Sequence, residues 1–287
     1  MSLKTTLIDV DALAALAPHD ALIVDCRFEL SDPAKGARDY AQGHVPGAIY
    51  ASLDRDLSDL SRQAEGLGRH PLPLESAFST LLSRWGWRDG VQVVAYDATG
   101  GALAAARLWW LLRLVDIPAA VLDGGYAAWT AAGKPIESGE PAPRPRSEVS
   151  LRYDTTRMLL DHDAVAGGAS GQLLDARGAP RYRGDTELLD RAAGHVPGAL
   201  NRPFADNLDA SGHFKPAAKL RGNSPPCSAP LDLRTWCTCA APASPPATTC
   251  WPWSTPACMA RACTRRRGAA GSAIRHGRWR RGTREHG

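Results

Sequence analysis

Apolar side chains fall along this chain in short continuous runs rather than in strict alternation. Ala21-Leu22-Ile23-Val24 closes on Asp25, Val91-Gln92-Val93-Val94-Ala95-Tyr96 is rich in β-branched residues, and Ala119-Ala120-Val121-Leu122 stops at Asp123-Gly124-Gly125. Runs of that length predict strands covered on both faces, as in a parallel sheet. A shorter strand is predicted over 48–51. The Gly100-Gly101 pair marks a turn, and a helix is predicted over about 102–114. That helix is apolar almost all round, through Leu108, Trp109, Trp110, Leu111 and Leu112, so it belongs inside the fold. Strands alternating with helices, with glycine at the joints, predict an α/β architecture.

The pattern then repeats. Gly43-His44-Val45-Pro46-Gly47-Ala48 recurs letter for letter as Gly194-His195-Val196-Pro197-Gly198-Ala199. Asp25-Cys26-Arg27 precedes the first copy and Asp175-Ala176-Arg177 the second, with 19 and 20 residues from Asp to His. An offset of about 150 residues is far beyond solenoid periods of ~20–50 and indicates a duplicated domain. A Pro-rich hinge, Gly139 to Arg146, separates the copies. Beyond it come helix signal around 161–165, the strand Gln172-Leu173-Leu174-Asp175, and a helix beginning over 215–221. The second copy does not finish. From Thr235 to Gly287 there is no Leu, Val, Phe or Tyr and a single Ile, so the apolar run of another buried strand is missing.

Composition changes at the same place. Residues 1–232 carry 24 Lys and Arg against 29 Asp and Glu, whereas residues 233–287 carry ten Arg, no Lys and only Glu285. Cys26 stands alone in the first 226 residues, and six cysteines crowd between Cys227 and Cys263. The opening Met1-Ser2-Leu3-Lys4 leads into no apolar segment of a signal peptide, and no run is long enough to span a bilayer. A cytoplasmic, reducing location is therefore expected, without a disulfide framework.

Six blocks together resemble the rhodanese (sulfurtransferase) family in its tandem two-domain form, closest to the mercaptopyruvate type. They are Asp25-Cys26-Arg27, Tyr40 with the first GHVPGA, Gly68-Arg69-His70-Pro71-Leu72-Pro73, Val94-Ala95-Tyr96-Asp97, Leu108–Arg113, and Leu122-Asp123-Gly124-Gly125 with Trp129. The resemblance covers about residues 6–221. It implies two rhodanese-like α/β domains with parallel sheets flanked by helices, the second incomplete. The expected boundaries are a non-catalytic domain over 6–138, a linker over 139–150, a partial catalytic domain over 151–222, and a disordered Arg/Pro/Cys-rich tail over 223–287.

In that family a cysteine following a strand of the second domain carries sulfur, cradled by backbone amides that stabilise thiolate and persulfide. The corresponding strand end of the first domain here holds Asp97, which is no sulfur nucleophile. Cys26 lies at a strand end of the inactive half and reads as core. In mercaptopyruvate-type members two arginines hold the donor's carboxylate and carbonyl. The matching stretch implies Arg181 and Arg191 as those residues, with Arg183 beside them; a guanidinium fork suits a planar carboxylate. Solvated loop arginines are the alternative from composition alone.

The family expects a loop such as C-G-S-G-V some 40–50 residues after the second GHVPGA, and no such string exists. Reading codons for Thr235 to Pro246 one base out of phase permits VVHMCGSGVTA, and Ala247 to Thr264 permits CHNLLAMEHAGLHGSRLY. An apolar strand, the missing loop and an apolar helix thus follow in order, which implies a frameshift near Gly222. Under that reading the tail is out-of-frame translation of GC-rich DNA. Cys237-Thr238-Cys239 and the later cysteines lack the paired spacing with His partners of a zinc site. Arg265-Arg266-Arg267 and Trp279-Arg280-Arg281 could mark nucleic-acid or membrane binding but are also what such translation yields. No metal, cofactor, specific nucleic acid or membrane partner is expected.

The resemblance implies transfer of sulfane sulfur from 3-mercaptopyruvate or thiosulfate to cyanide or a thiol through a cysteine persulfide. The chain as written is expected to be inactive because the cysteine loop is absent. A non-catalytic rhodanese-like binding module with a basic tail is the alternative.

Overall fold

A computed structural model describes residues 3–65, 67–140, 143–154, 165, 167, 173–190, 192–222 and 237–239. The chain divides into two compact units. The first takes Met1–Gln63, His70–Asp154 and Leu208–Lys215, and the second takes Ala64–Arg69, Thr155–Asn207 and Pro216–Gly287.

The first unit is built on five parallel strands: β1 (Leu7–Ile8), β2 (Ala21–Asp25), β3 (Ile49–Tyr50), β4 (Gln92–Tyr96) and β5 (Ala119–Leu122). Their order is β1-β5-β4-β2-β3, with the apolar runs at the centre and the short strands at the edges. β4 and β5 are buried at every position, which is why neither run alternates with polar residues. Around the sheet lie α1 (Val10–Ala14), α2 (Lys35–Gln42), α3 (Glu75–Arg84), α4 (Ala104–Leu114) and α5 (Gly125–Ala131). α4 buries Leu108, Trp109, Trp110, Leu111, Leu112 and Leu114. Its one buried cation, Arg107, is satisfied by carbonyls: Nε donates to Leu57 at 3.2 Å, and Nη2 to His70 at 2.9 Å and Pro71 at 3.2 Å. Burial draws its pKa down to about 10, and the side chain ties His70 and Pro71 to the helix core.

Residues 143–154, which run from the expected linker (139–150) into the start of the expected second domain (151–222), lie along α3. Ser147 N donates to the Ser83 carbonyl at 3.1 Å, Leu151 N to Ser79 Oγ at 3.0 Å, and Tyr153 N to Glu75 Oε1 at 2.7 Å. A Pro-rich segment supports neither helix nor ladder, but its extended backbone still needs partners, and the polar positions of α3 supply them.

The second unit contains a parallel three-stranded sheet, β6 (Leu173–Asp175), β7 (Leu200–Asn201) and β8 (Cys237–Cys239), ordered β7-β6-β8. Helices α6 (Ala179–Arg183) and α7 (Ala217–Gly222) accompany it. A cluster of Leu173 and Ala199, with Val165 and Val196 against it, forms a small core. β8 lies within the stretch expected as a tail over 223–287. Main-chain N–H and C=O groups make a ladder whatever the side chains, so the open edge of β6 accepts a strand without an apolar run. Residues 223–236 and 240–287, which include the rest of the expected disordered tail, lie outside the described residues, as does 161–164 of the expected helix. Among the described residues no helix is long and apolar enough to cross a membrane.

Candidate functional site

Both copies of the repeated block close the same clasp. Asp25 ends β2, and Arg27 folds back onto it: Nε lies 3.1 and 2.9 Å from Oδ1 and Oδ2, and Nη2 lies 2.7 Å from Oδ2. Nη2 also donates to the Gly43 carbonyl at 2.6 Å, fastening the strand end to the GHVPGA turn. In the second unit Arg177 holds Asp175 at 3.0, 3.1 and 2.6 Å and the Gly194 carbonyl at 2.6 Å. Burial works against both guanidinium charges, and the hydrogen-bonded carboxylates outweigh it, so both arginine pKa values rise.

The turn itself is explained by its letters. Ala48 N donates to the Val45 carbonyl at 2.9 Å, and Ala199 N to that of Val196 at 3.0 Å. Proline presets the first inner position, and Gly47 (φ 72°) and Gly198 (φ 84°) take the left-handed second one. A tyrosine and the block's histidine complete each clasp. Tyr40 Oη donates to the Ala48 carbonyl and Tyr182 Oη to that of Ala199, both at 2.7 Å. His44 Nδ1 donates to the Tyr40 carbonyl at 2.8 Å, and His195 Nδ1 to that of Tyr182 at 2.7 Å. The rings stack at 4.0 and 3.8 Å.

The clasps differ in what else reaches the arginine. In the first, Tyr96 Oη donates to Asp25 Oδ2 at 2.8 Å, and Arg27 lies 4.1 Å over the Tyr126 ring. Burial first, then the Asp25 charge, pushes the Tyr96 hydroxyl far above its ordinary pKa, so it remains a donor. In the second, Glu187 Oε2 lies 3.5 Å from Arg177 Nη1.

At the end of β4 the Asp97 carboxylate sits in a ring of amides. Oδ1 accepts from Thr99 N and Gly101 N, each at 2.8 Å, and Oδ2 from Leu103 N at 3.0 Å and Ala105 N at 3.2 Å. The amides of the turn before α4 and of its first residues thus surround an anion that belongs to the chain itself. Cys26 is fully buried, and burial followed by the charges of Asp25, Asp97 and Asp56 raises its pKa well above the ordinary value. It is a protonated core thiol, unsuited to nucleophilic chemistry.

Of the expected donor-binding residues, Arg181 lies on α6, about a quarter exposed, and Arg191 falls outside the described residues. Arg181 Nε and Nη2 contact both Glu187 oxygens at 3.0–3.1 Å, and Nη2 donates to Asp190 Oδ2 at 2.7 Å. Arg183 pairs with Asp185 at 2.8 Å. Burial raises the Glu187 pKa, but the amides of Leu189 and Asp190 and the Arg181 guanidinium outweigh it and hold it below the ordinary value. The chain's pattern did not single out these two acids, because an exposed-looking ELLD stretch carries no period. Nor did it single out Asp54, whose Oδ1 lies 3.2 Å from His70 Nε2.

Residues 9–132 match the family model of the rhodanese-like domain. Over 222 residues the chain is 44% identical to a probable 3-mercaptopyruvate sulfurtransferase of Pseudomonas aeruginosa, spanning 75% of this chain and 76% of that protein. The chain belongs to the rhodanese sulfurtransferase family. A putative thiosulfate sulfurtransferase of Mycobacterium tuberculosis is 42% identical over 197 residues, 67% of each chain. Among solved structures, a 3-mercaptopyruvate sulfurtransferase from Leishmania major superposes with a TM-score of 0.66 at 31% identity. That match covers 77% of this chain, which spans 61% of the Leishmania structure's length. Within the rhodanese frame, Asp25, Arg27, Asp175 and Arg177 are fasteners of strand to turn.

Proposed function

We propose that the gene encodes a sulfurtransferase that moves sulfane sulfur from 3-mercaptopyruvate or thiosulfate to cyanide or a thiol acceptor. In that reaction a cysteine thiolate attacks the donor sulfur, the donor's bond to it breaks, and a persulfide remains on the enzyme. The acceptor then takes the outer sulfur and regenerates the thiolate. Arg181 and Arg191 hold a 2-oxo acid donor by its carboxylate and carbonyl. The chain as written is inactive because its reading frame shifts near Gly222.

The observation that carries this reading is the register of β8. β2 pairs with β4 so that Asp25 faces Tyr96, and β6 pairs with β8 so that Asp175 faces Cys239. Asp97 follows Tyr96, and position 240 follows Cys239. The out-of-phase cysteine codon straddles the codons of Cys239 and Ala240, the place in the repeat where a sulfur carrier belongs.

Resequencing the DNA around codons 220–224 tests the frame, and assays of cyanide-dependent thiocyanate formation test the activity. The chain as written is expected to give no turnover with either donor, and restoration of one base is expected to give turnover. A verified, unshifted frame removes the enzyme reading for this chain. It leaves the second reading, a non-catalytic rhodanese-like module with a basic tail, which the buried Cys26 thiol and the Asp97-filled loop favour.

A further inference from the structure

Arg181 immediately precedes the clasp tyrosine Tyr182, where the first copy has Asp39 before Tyr40. The same copy carries a longer segment between tyrosine and histidine: 13 positions separate Tyr182 from His195, against 4 from Tyr40 to His44. Two acids of that extra segment, Glu187 and Asp190, both turn back onto Arg181. Their side chains are 4% and 2% exposed. Glu187 Oε1 is itself fixed by the amides of Leu189 at 2.9 Å and Asp190 at 3.0 Å, and Asp190 Oδ1 lies 3.6 Å from Arg69 Nε. Glu187 occupies the Nε–Nη2 edge of the fork and Asp190 the other side of Nη2. Nη1 takes no part in these bonds.

We propose that Glu187 and Asp190 are positioning residues for Arg181, bracing one edge of its guanidinium so that Nη1 is presented to the carboxylate of a 2-oxo acid donor. The inference rests on the reading of Arg181 as a donor-binding arginine. A long arginine side chain loses rotamer freedom when it binds a ligand, and a brace made in advance removes that cost from the binding step. The arginine and its two acids occur together in one copy and are absent together from the other, which ties the acids to Arg181, although Glu187 Oε2 also lies 3.5 Å from Nη1 of the clasp's Arg177.

The test is calorimetric titration of the full chain with pyruvate, a donor analogue without the sulfur, alongside thermal unfolding. Wild-type protein is expected to bind and Arg181→Ala to abolish binding. Glu187→Asp keeps the charge but withdraws the carboxylate by one methylene, and it is expected to weaken binding roughly tenfold, about 1.4 kcal/mol. Asp190→Asn is expected to weaken it as well, with unfolding temperature close to wild type. If the acids merely neutralise nearby arginines, Glu187→Asp leaves affinity unchanged and Asp190→Asn raises it, and either result overturns the inference. Pyruvate binding that is absent in wild type, or unaffected by Arg181→Ala, instead overturns the donor-site reading beneath it. Asp190→Asn decides the matter if Glu187→Asp fails to fold, because the two roles predict opposite signs.

Discussion

The first and second clasps match within a few tenths of an ångström in every shared hydrogen bond, yet their surroundings diverge. The first is sealed by aromatic hydroxyl and ring contacts, Tyr96 to Asp25 and Tyr126 against Arg27. The second is surrounded by charge, with Glu187 near Arg177 and Arg181. The shared part holds a strand end to a turn, and the divergent part is where chemistry has room to differ. Signature residues of this family therefore separate into fasteners, present in both copies, and residues peculiar to one.

The largest expected effect tests the fastener. Arg27→Ala leaves Asp25 buried without its cation, and urea unfolding followed by tryptophan fluorescence is expected to show a loss of about 3–5 kcal/mol. A loss below 1 kcal/mol would make the clasp ornamental. Asp97→Ala strips four amides of the 99–105 stretch leading into α4 of their acceptor and is expected to cost about 3 kcal/mol, with Asp97→Asn in between. Equal stability of the three proteins would show that water replaces the carboxylate at no cost. Tyr96→Phe removes a partner from both Asp25 and Val45 N, and about 2 kcal/mol is expected, since the hydroxyl also accepts from that amide at 3.1 Å. Tyr40→Phe, which frees only one carbonyl, is expected to cost about 1 kcal/mol by the same measurement. The smallest effect is in pH. The Glu187 pKa is depressed in the fold, so its contribution is fully present above the ordinary value of 4.5 and is lost as pH falls below it. Hydrogen exchange of residues 184–190 is expected to accelerate over that range in wild type and to respond less in Glu187→Gln.

Much of the first unit was legible in the sequence. The continuous runs at Ala21–Asp25, Val91–Tyr96 and Ala119–Leu122 became the three central strands, because strands buried on both faces need no polar alternation. The all-round apolar helix became α4 for the same reason. The letters of GHVPGA carried the turn, because proline and glycine state backbone angles directly. The carbonyls of Gly43 and Gly194 that receive the arginines were not legible, since a backbone acceptor leaves no trace in side-chain chemistry. The binding of 143–154 to α3 was missed because proline-rich composition reports what the backbone cannot form, not where it lies. β8 carries no side-chain signal, because the absence of Leu and Val argues against apolar packing, while main-chain pairing asks for neither. Glu187 and Asp190 were passed over because their burial follows from pairing with Arg181, with Arg177 and with the distant Arg69, none of which leaves a periodic signal.

The stacked Tyr–His pair closes over 4 residues in one copy and 13 in the other with the same contacts. The chain between the rings is thus a free variable, and lengthening it costs on the order of 1 kcal/mol in loop closure. Such a joint is a graft point. Ancestral copies of the domain can acquire a foreign segment there without re-solving the fold. An engineer can do likewise between Gln42 and Gly43 of the shorter copy.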